Sequence, residues 1–161
     1  MSINRIAGIF LAVSLVAAGG VGAGWDEYQQ STLRAVIEQN DGHGGKSDLV
    51  ITAGLPYRVE VVFSGRFREI SPARAFFIEQ WLKSNGLDPA SKQLFDTEMR
   101  VMEGKTEFWL PVQKALIPHS KKEVARNKPV TLFVVWPGKT GADSVFLVNE
   151  FEAGHGRATG N

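Results

Sequence analysis

The hydrophobic pattern divides the chain into an apolar opening and a body built from short alternating segments. Ile6 to Ala18 is apolar apart from Gly8 and Ser14, and no charged residue follows until after Gly24. Beyond this run, apolar residues recur at the two spacings that distinguish α-helices from β-strands. The pattern therefore predicts an apolar N-terminal segment followed by a small domain of mixed secondary structure.

Alternation of apolar and polar residues predicts about six short β-strands. Tyr57–Phe63 carries its apolar residues on one face and Arg58 and Glu60 on the other, which is the period of a half-buried strand. A two-residue Gly-Lys turn of type II′ joins Thr97–Glu103 to Thr106–Val112 as a hairpin. The other predicted strands are Leu49–Ala53, Arg66–Ile70 after a turn at Ser64-Gly65, Val130–Trp136 and Ser144–Phe151.

One main helix is predicted between residues 71 and 86. Ser71 is a good N-cap, and Pro72 fits the first helical position because its missing N–H costs nothing there. Phe77 and Trp81 then recur at helical spacing, and Gly86 suits a left-handed C-terminal cap. The helix therefore has an apolar face that must be buried.

The apolar character of the last strands indicates that they are covered on both faces. In Val130–Trp136 both faces are mostly apolar, and the main helix supplies one cover. The predicted fold class is α+β, with about six antiparallel strands and one main helix packed on the sheet. Two arrangements satisfy this pattern: a partly closed barrel like the oligonucleotide/oligosaccharide-binding (OB) fold, or a half-open sheet with the helix across it.

The apolar opening has two interpretations. A positively charged start, an apolar run and small residues at the end are typical of a secretory signal, with Val21 and Ala23 placed for a cut before Gly24. The uncharged run from Ile6 to Gly24 also approaches the roughly 20 residues that span a bilayer. We expect residues 1–23 to be a signal peptide, or residues 1–24 an uncleaved anchor helix. The domain is then periplasmic or secreted, or anchored in the inner membrane and outside the cytoplasm.

The remainder divides into a leading segment, one domain and a tail. A short amphipathic helix is predicted over Trp25–Gln39, and the glycine-rich Asn40–Asp48 that follows is typical of a flexible linker, so 24–48 is expected to tether or dock the domain. Residues 49–153 are expected to form a single α+β domain, and residues 154–161 a disordered tail.

Composition excludes several kinds of chemistry. The chain has no cysteine, which rules out a thiol nucleophile, a zinc–cysteine site, an iron–sulfur cluster and a lipid-modified cysteine. Its formal net charge is +1, so the total charge gives no long-range attraction to nucleic acid. Nucleic acid is therefore not an expected partner.

Gly138-Lys139-Thr140 resembles the end of a phosphate-binding loop, but its surroundings do not. Such a loop needs a glycine five residues before the Gly-Lys pair, where this chain has Phe133. It also needs a following helix, whereas the next apolar run is a predicted strand. We interpret the segment as a hairpin tip, with Pro137 and Gly138 ending the first strand.

The histidines and carboxylates form no catalytic motif. His43 and His155 lie in Gly-His-Gly sequences, and His119 has no serine–acid partner in a known motif. The carboxylates available to a hydrolase lie on predicted strands: Glu98, Glu103, Glu107, Glu150 and Glu152. Acids alternating on a solvated strand face explain them without chemistry, so the chain is more typical of a binding protein than of an enzyme. We expect no catalytic residue, no metal site and no cofactor.

A basic stretch is the strongest candidate for a binding surface. An anionic ligand or a partner protein could contact its cations together with two tryptophans: Lys114, Lys121, Lys122, Arg126, Lys128, Trp109 and Trp136. The alternative is an ordinary solvated face, or a face toward anionic headgroups if the anchor is retained.

Three functions are consistent with the sequence. The first is an exported, non-enzymatic domain of the cell envelope that binds a protein partner or an extended ligand. The second is a membrane-anchored accessory subunit of an envelope complex, with membrane contact through the retained N-terminal segment. The third is a small hydrolase that uses paired carboxylates.

Overall fold

The computed structural model describes residues 25–41 and 49–154. The signal or anchor segment, most of the linker and the tail that the sequence predicts lie outside these residues. The strands are β1 (Gln29–Ser31), β2 (Leu49–Glu69), β3 (Thr97–Glu103), β4 (Thr106–Val112), β5 (Lys128–Thr140) and β6 (Asp143–Ala153). The α-helices are α1 (Leu33–Asp41), α2 (Pro72–Ser84) and α3 (Ile117–Glu123), and 3-10 turns occupy Trp25–Glu27, Pro89–Phe95 and Lys114–Leu116. Within the described ranges, no helix is both long enough and apolar enough to cross a bilayer.

The six strands form one mixed sheet in the order β1-β2-β3-β4-β6-β5, and β5 also pairs with β2. The second pairing of β2 makes strands β2 to β6 a closed ring of hydrogen-bonded neighbours. The α+β class is confirmed. The expectation that all strands are antiparallel is wrong, because β1 pairs with β2, and β4 with β6, in parallel. Parallel neighbours need a crossover connection, and here α3 and β5 lie between β4 and β6 in the chain.

The predicted turn at Ser64-Gly65 is wrong, because β2 runs through it. The β2–β3 register shifts between Phe63 and Phe67, so β2 bends at a bulge and does not reverse. Gly65 has a φ of 75°, and a Cβ at this position would lie 2.6 Å from Cγ of Arg126. The missing side chain therefore lets Arg126 pack on the bulge, which brings the basic segment against β2.

The main core fills the inside of the ring. It collects inward residues from every strand of the ring: Tyr57, Val59, Val61, Phe63, Met99, Val101, Leu110, Val112, Val130, Leu132, Val134, Trp136, Phe146 and Val148. A second cluster joins α2 to β5 and β6, where Phe77 and Trp81 pack with Val135, Val145 and Leu147. These two clusters explain why β5 is apolar on both faces: one face lines the main core and the other lies under α2.

The ends of α2 follow the sequence prediction. The Ser71 hydroxyl accepts a hydrogen bond from the Arg74 amide at 3.3 Å, and Pro72 begins the helix. Gly86 has a φ of 69°, and the Leu87 amide donates to the Leu82 carbonyl at 2.9 Å. The helix predicted between residues 71 and 86 is confirmed, because local capping chemistry determines both of its ends.

The predicted helix over Trp25–Gln39 is replaced by a 3-10 turn, the short strand β1 and α1. The α1 helix is integrated into the fold: Leu33 and Val36 are completely buried in the main core. At its N-terminus, the Glu103 carboxylate accepts from the amides of Leu33 and Arg34 at 2.7 and 3.1 Å. Because β1 pairs with β2, the leading segment belongs to the same sheet and core as the residues that follow.

Candidate functional site

The Gly-Lys-Thr segment has a structural role in β5. The strand continues through it to Thr140, so the prediction that Pro137 and Gly138 end the strand is wrong. Gly138 pairs with both Ile51 and Val145 across the sheet. The Lys139 side chain is buried, and its Nζ lies 3.2 Å from Oδ1 of Asp41 on α1. The amine thus links β5 to α1, and β6 follows where a phosphate loop would need a helix.

A charged cluster centred on Trp109 occupies the outer face of β2, β3 and β4. We call this surface the Trp109 face and define it by Arg68, Glu98, Arg100, Glu107 and Trp109. The strand register places Arg68 opposite Glu98 and Arg100 opposite Trp109, so neighbouring strands bring these side chains together. Sequence reasoning placed Trp109 in the candidate surface, but with a different set of cations.

The guanidinium of Arg68 is held on two sides and remains open to solvent. Its Cζ lies 4.1 Å from the centroid of the Trp109 ring, and its Nε donates to the Glu98 carboxylate at 2.7 Å. The Arg68 side chain is nevertheless 47% exposed. A guanidinium fixed in this way loses little conformational freedom when it binds a carboxylate or phosphate group.

Glu98 is a fully buried carboxylate beneath this face. Its second oxygen accepts from Nη1 of Arg74 at 2.6 Å, so two arginines neutralise it. Arg74 also binds the Asp143 carboxylate at 2.7 and 2.8 Å and the Trp109 carbonyl oxygen at 2.6 Å. Burial alone would lower the pKa of Arg74, but the hydrogen bonds to Asp143 and Glu98 outweigh it and raise that pKa above its ordinary value. This network fixes the base of the Trp109 face.

Arg100 and Glu107 complete the face on the solvent side. The Glu107 carboxylate accepts from Nε1 of Trp109 at 2.8 Å and from Nε of Arg100 at 2.6 Å. Both contacts, that of Trp109 foremost, lower the pKa of Glu107 below its ordinary value. Catalytic general acids need a raised pKa instead, so this carboxylate positions Trp109 and Arg100 and is poorly suited to acid catalysis.

The other hydrolase candidates lie on β3 and β6. Glu98 forms ion pairs with two arginines, and the Glu103 carboxylate accepts hydrogen bonds from backbone amides of α1. Glu150 and Glu152 lie on β6, and burial raises the pKa of Glu150 to about 7. Across the described ranges, no group of three or more His, Cys, Asp or Glu residues is arranged to hold a metal ion.

The predicted basic surface is only partly assembled by the fold. Trp136 is 1% exposed and belongs to the main core, so it cannot contribute to an outer surface. Lys114 forms an ion pair with Asp96 at 2.5 Å. The remaining cations of the predicted surface are exposed near the β2 bulge: Lys121, Lys122, Arg126 and Lys128. The fold adds Arg66, which follows Gly65 in the bulge.

A cleft of about 920 Å³ lies beside this basic segment. Its walls include Gln30 from β1, Arg58 and Glu60 from β2, and Lys128 and Thr131 from β5. The Arg58 guanidinium donates to the amide oxygen of Gln30, its neighbour on the paired strand β1, at 2.8 Å. The cleft carries charges of both signs and places the beginning of the described chain next to the basic segment.

Glu150 lies under the leading segment of the chain. It pairs with Phe133 across β5 and β6, and the Tyr28 ring packs edge-on against Phe133 at 5.3 Å. Burial raises the pKa of Tyr28, an effect that a hydrogen bond with Asn149 partly offsets. The negative charge of Glu150 adds to the rise in the pKa of Tyr28, because the two side chains are close to each other.

Replacing Glu150 with glutamine is expected to stabilise the protein above neutral pH. The folded-state pKa of Glu150, about 7, exceeds its ordinary value of 4.5, so the folded protein binds this proton more tightly than the unfolded chain does. The contribution of Glu150 to the free energy of unfolding therefore falls as pH rises from about 4.5 to about 7. The shift corresponds to roughly 3 kcal/mol, which solvent screening of a half-buried group reduces to about 1–2 kcal/mol. Urea unfolding at pH 4.5 and 8 measures this: Glu150→Gln should gain stability only at pH 8.

The exposed Glu152 on the same strand provides the control. Glu152→Gln should leave the pH dependence of stability as in the unmodified protein. An equal gain for Glu150→Gln at both pH values would contradict the assignment of the effect to ionisation of Glu150.

No protein-family model matches the chain, and no curated protein or solved structure is significantly similar to it.

The sequence suggested that Arg68 and Arg74 could share a surface with Trp109, but it missed Glu98 and Arg100 as parts of that site. The available signal was the alternation in β3, where Glu98 and Arg100 occur opposite the apolar Met99 and Val101. That alternation places the two charged residues on one face of a strand. The predicted hairpin places Trp109 opposite Arg100, but the sequence does not show which strand brings Arg68 to them.

Proposed function

We propose that this chain is an exported, non-enzymatic domain of the cell envelope that binds an extended ligand with anionic groups on its Trp109 face. The observation that carries the proposal is Arg68. Its guanidinium is held between Trp109 and Glu98 while nearly half of the side chain is open to solvent. Oriented guanidinium groups recognise carboxylates and phosphates with two parallel hydrogen bonds.

The barrel is of the OB type in this proposal. Folds of that type bind ligands on the face of their second and third strands, flanked by the loops after the first and fourth strands. The corresponding strands here are β3 and β4. Arg74 lies in α2, in the connection after β2, and Asp143 begins β6 directly after the turn that follows β5, and these two residues bind each other. Their ion pair would support the ligand face from below.

The kind of ligand follows from the exposed groups of the face. Arg68 and Arg100 each use Nε to bind a carboxylate, and neither has a further side-chain hydrogen bond among the described residues. Their terminal nitrogens can therefore bind acidic groups of a ligand. Trp109 adds an aromatic side chain, and tryptophan and arginine are enriched at the energetic centres of interfaces. An acidic polypeptide segment or an acidic glycan fits these groups.

Binding of acidic polymers to the purified protein tests the proposal. A polyglutamate peptide and a polygalacturonate oligomer are suitable probes for isothermal titration. We expect one of them to bind, and Arg68→Ala and Trp109→Ala each to weaken that binding at least about tenfold, or about 1.4 kcal/mol. Retention of full affinity by both variants would rule out the Trp109 face as the site.

Lys105 supplies the matched control. It is an exposed cation in the turn that joins β3 to β4, and it makes no ion pair among the described residues. Lys105→Ala changes the net charge by the same amount as Arg68→Ala and should leave binding unchanged. A loss equal to that of Arg68→Ala would indicate attraction by overall charge alone.

The location outside the cytoplasm is supported by the sequence of residues 1–24. The intact mass of protein recovered from membranes distinguishes a cleaved signal from a retained anchor. A mature chain that begins near Gly24 favours a released domain, whereas an intact Met1 in a membrane fraction favours the anchored accessory subunit.

A further inference from the structure

Fewer than half of the fifteen lysines and arginines in the described ranges have carboxylate partners. Seven lysines and arginines form ion pairs, and they lie on α2, on the Trp109 face or at the ends of strands and turns: Arg68, Arg74, Lys83, Lys92, Arg100, Lys114 and Lys139.

Five exposed cations near the β2 bulge have no such partner. We call them the bulge patch: Arg66, Lys121, Lys122, Arg126 and Lys128. None of the five forms an ion pair with any carboxylate in the part of the chain that the structure describes. The nearby carboxylate of Glu123 faces His119 at 3.5 Å instead. The patch therefore groups five exposed cations that lie beyond ion-pair distance of any described carboxylate, on a chain whose formal net charge is only +1.

Tertiary contacts bring the bulge patch together. Arg126 packs over Gly65, where a Cβ would lie 2.6 Å from its Cγ. Lys121 lies over the Phe67 ring with its Nζ 5.0 Å from the ring centroid. Lys128 pairs with Phe63 at the start of β5. The bulge in β2 is thus the point at which α3 and the start of β5 place their cations beside Arg66.

The chain enters the domain beside the bulge patch. Gln30 of β1 and Lys128 line the same cleft, together with Ala125. Only five residues separate Gly24 from Gln30, and an extended chain covers about 3.3–3.6 Å per residue. The predicted signal or anchor segment therefore ends within about 20 Å of Gln30, so a retained anchor would hold the patch close to the bilayer.

We propose that the bulge patch adsorbs to an anionic membrane surface and orients the domain against it. Its long, exposed side chains surround a bend in the sheet. This arrangement is better suited to contact many lipid headgroups at once than to bind a single phosphate. Each lysine or arginine near an anionic leaflet strengthens adsorption about fivefold. The proposal is independent of the ligand bound at the Trp109 face.

A fluorescent label near the patch tests this orientation. The chain has no cysteine, so Ala125→Cys gives a unique attachment point. The labelled protein, in the form recovered from cells, is added to vesicles, or is reconstituted in them if its anchor is retained. Quenching of the label by a lipid that carries a quencher on its headgroup is then measured. We expect quenching with phosphatidylcholine–phosphatidylglycerol vesicles, little with phosphatidylcholine alone, and loss of quenching near 1 M salt, where the screening length is about 3 Å.

Two triple variants separate the patch from overall charge. Lys121→Gln, Lys122→Gln and Lys128→Gln together should weaken the contact with anionic vesicles by about 100-fold. Lys83→Gln, Lys92→Gln and Lys114→Gln remove the same charge from paired positions elsewhere and should have little effect. Equal losses in both triples, or equal quenching with both kinds of vesicle, would overturn the proposal.

A soluble polyanion distinguishes the remaining alternative. If polyphosphate binds the unmodified protein tightly while anionic vesicles do not quench the label, the partner is a polymer and the membrane assignment is wrong. The variant with Lys121→Gln, Lys122→Gln and Lys128→Gln should bind the acidic probes as the unmodified protein does, because the Trp109 face is intact in it. Failure of the membrane proposal is therefore distinguishable from failure of the ligand proposal.

Discussion

Replacing Gly138 with alanine is expected to destabilise the fold by about 4 kcal/mol or more, or to prevent folding. Gly138 has a φ of 139°, and a Cβ there would lie 1.8 Å from the Val50 carbonyl oxygen. That oxygen belongs to the backbone of the paired strand β2, so the overlap cannot be relieved by rotating a side chain. Urea unfolding followed by circular dichroism measures the loss.

Gly141 separates this effect from the general cost of replacing a glycine. It has a φ of 57° in the turn between β5 and β6, and a Cβ there would meet no atom within 4 Å. Gly141→Ala should therefore cost only about 1–2 kcal/mol, the price of the left-handed conformation. A Gly138→Ala protein within about 1 kcal/mol of the unmodified one would contradict the close approach of β5 to β2.

Replacing Arg74 with methionine is expected to destabilise the protein by about 3–5 kcal/mol. The change leaves Glu98 completely buried with only Arg68 as a cationic partner, and it removes the hydrogen bond to the Trp109 carbonyl oxygen. An uncompensated buried charge costs more than the lost ion pair itself contributes. Urea unfolding followed by tryptophan fluorescence is suitable, because Trp81 and Trp136 are buried.

An exposed ion pair on the same face is the matched control for Arg74. Arg100 binds Glu107 at 2.6 Å, but the Glu107 side chain is 43% exposed. Arg100→Met should thus cost at most about 1 kcal/mol, because exposed pairs contribute little. If Arg74→Met proves as mild as Arg100→Met, the buried network does not stabilise the Trp109 face.

The two stability predictions concern the parts of the fold on which the proposed ligand face depends. Gly138 permits the close pairing of β5 with β2 that closes the ring of strands. Arg74 joins α2 to β3 and to the start of β6 through its ion pairs with Glu98 and Asp143. Glu98, which Arg74 and Arg68 share, orients Arg68 against Trp109. A variant that loses ligand binding must therefore be checked for stability before the loss is assigned to direct contact.

Local patterns were sufficient for most elements of the domain. The β3–β4 hairpin, the ends of α2 and the last two strands follow from alternation, capping residues and turn residues that lie within a few positions of each other. Local residue preferences gave a wrong prediction where tertiary contacts determine the backbone conformation instead. Gly65 resembles a turn residue, yet β2 continues through it because Arg126 packs into the space that its missing side chain leaves.

The candidate site was only partly predictable for the same reason. Trp109 and the basic residues of α3 were recognisable from residue type, whereas Trp136 looked equally suitable and is buried in the core. Burial depends on which strand faces which, and a β5 strand that is apolar on both faces gives no indication of which face each aromatic residue occupies.

The amino-acid sequence was enough to establish a small α+β domain with alternating strands, one capped helix and an apolar N-terminal segment, because these features depend on neighbours a few residues apart. The folded structure alone established the parallel pairings, the buried Glu98 network and the packing of the basic segment against the β2 bulge. Arg74 meets Glu98 across 24 residues of chain and Asp143 across 69. Contacts over such separations depend on how whole strands and helices pack against each other, and the local periodicity of apolar residues does not predict that packing.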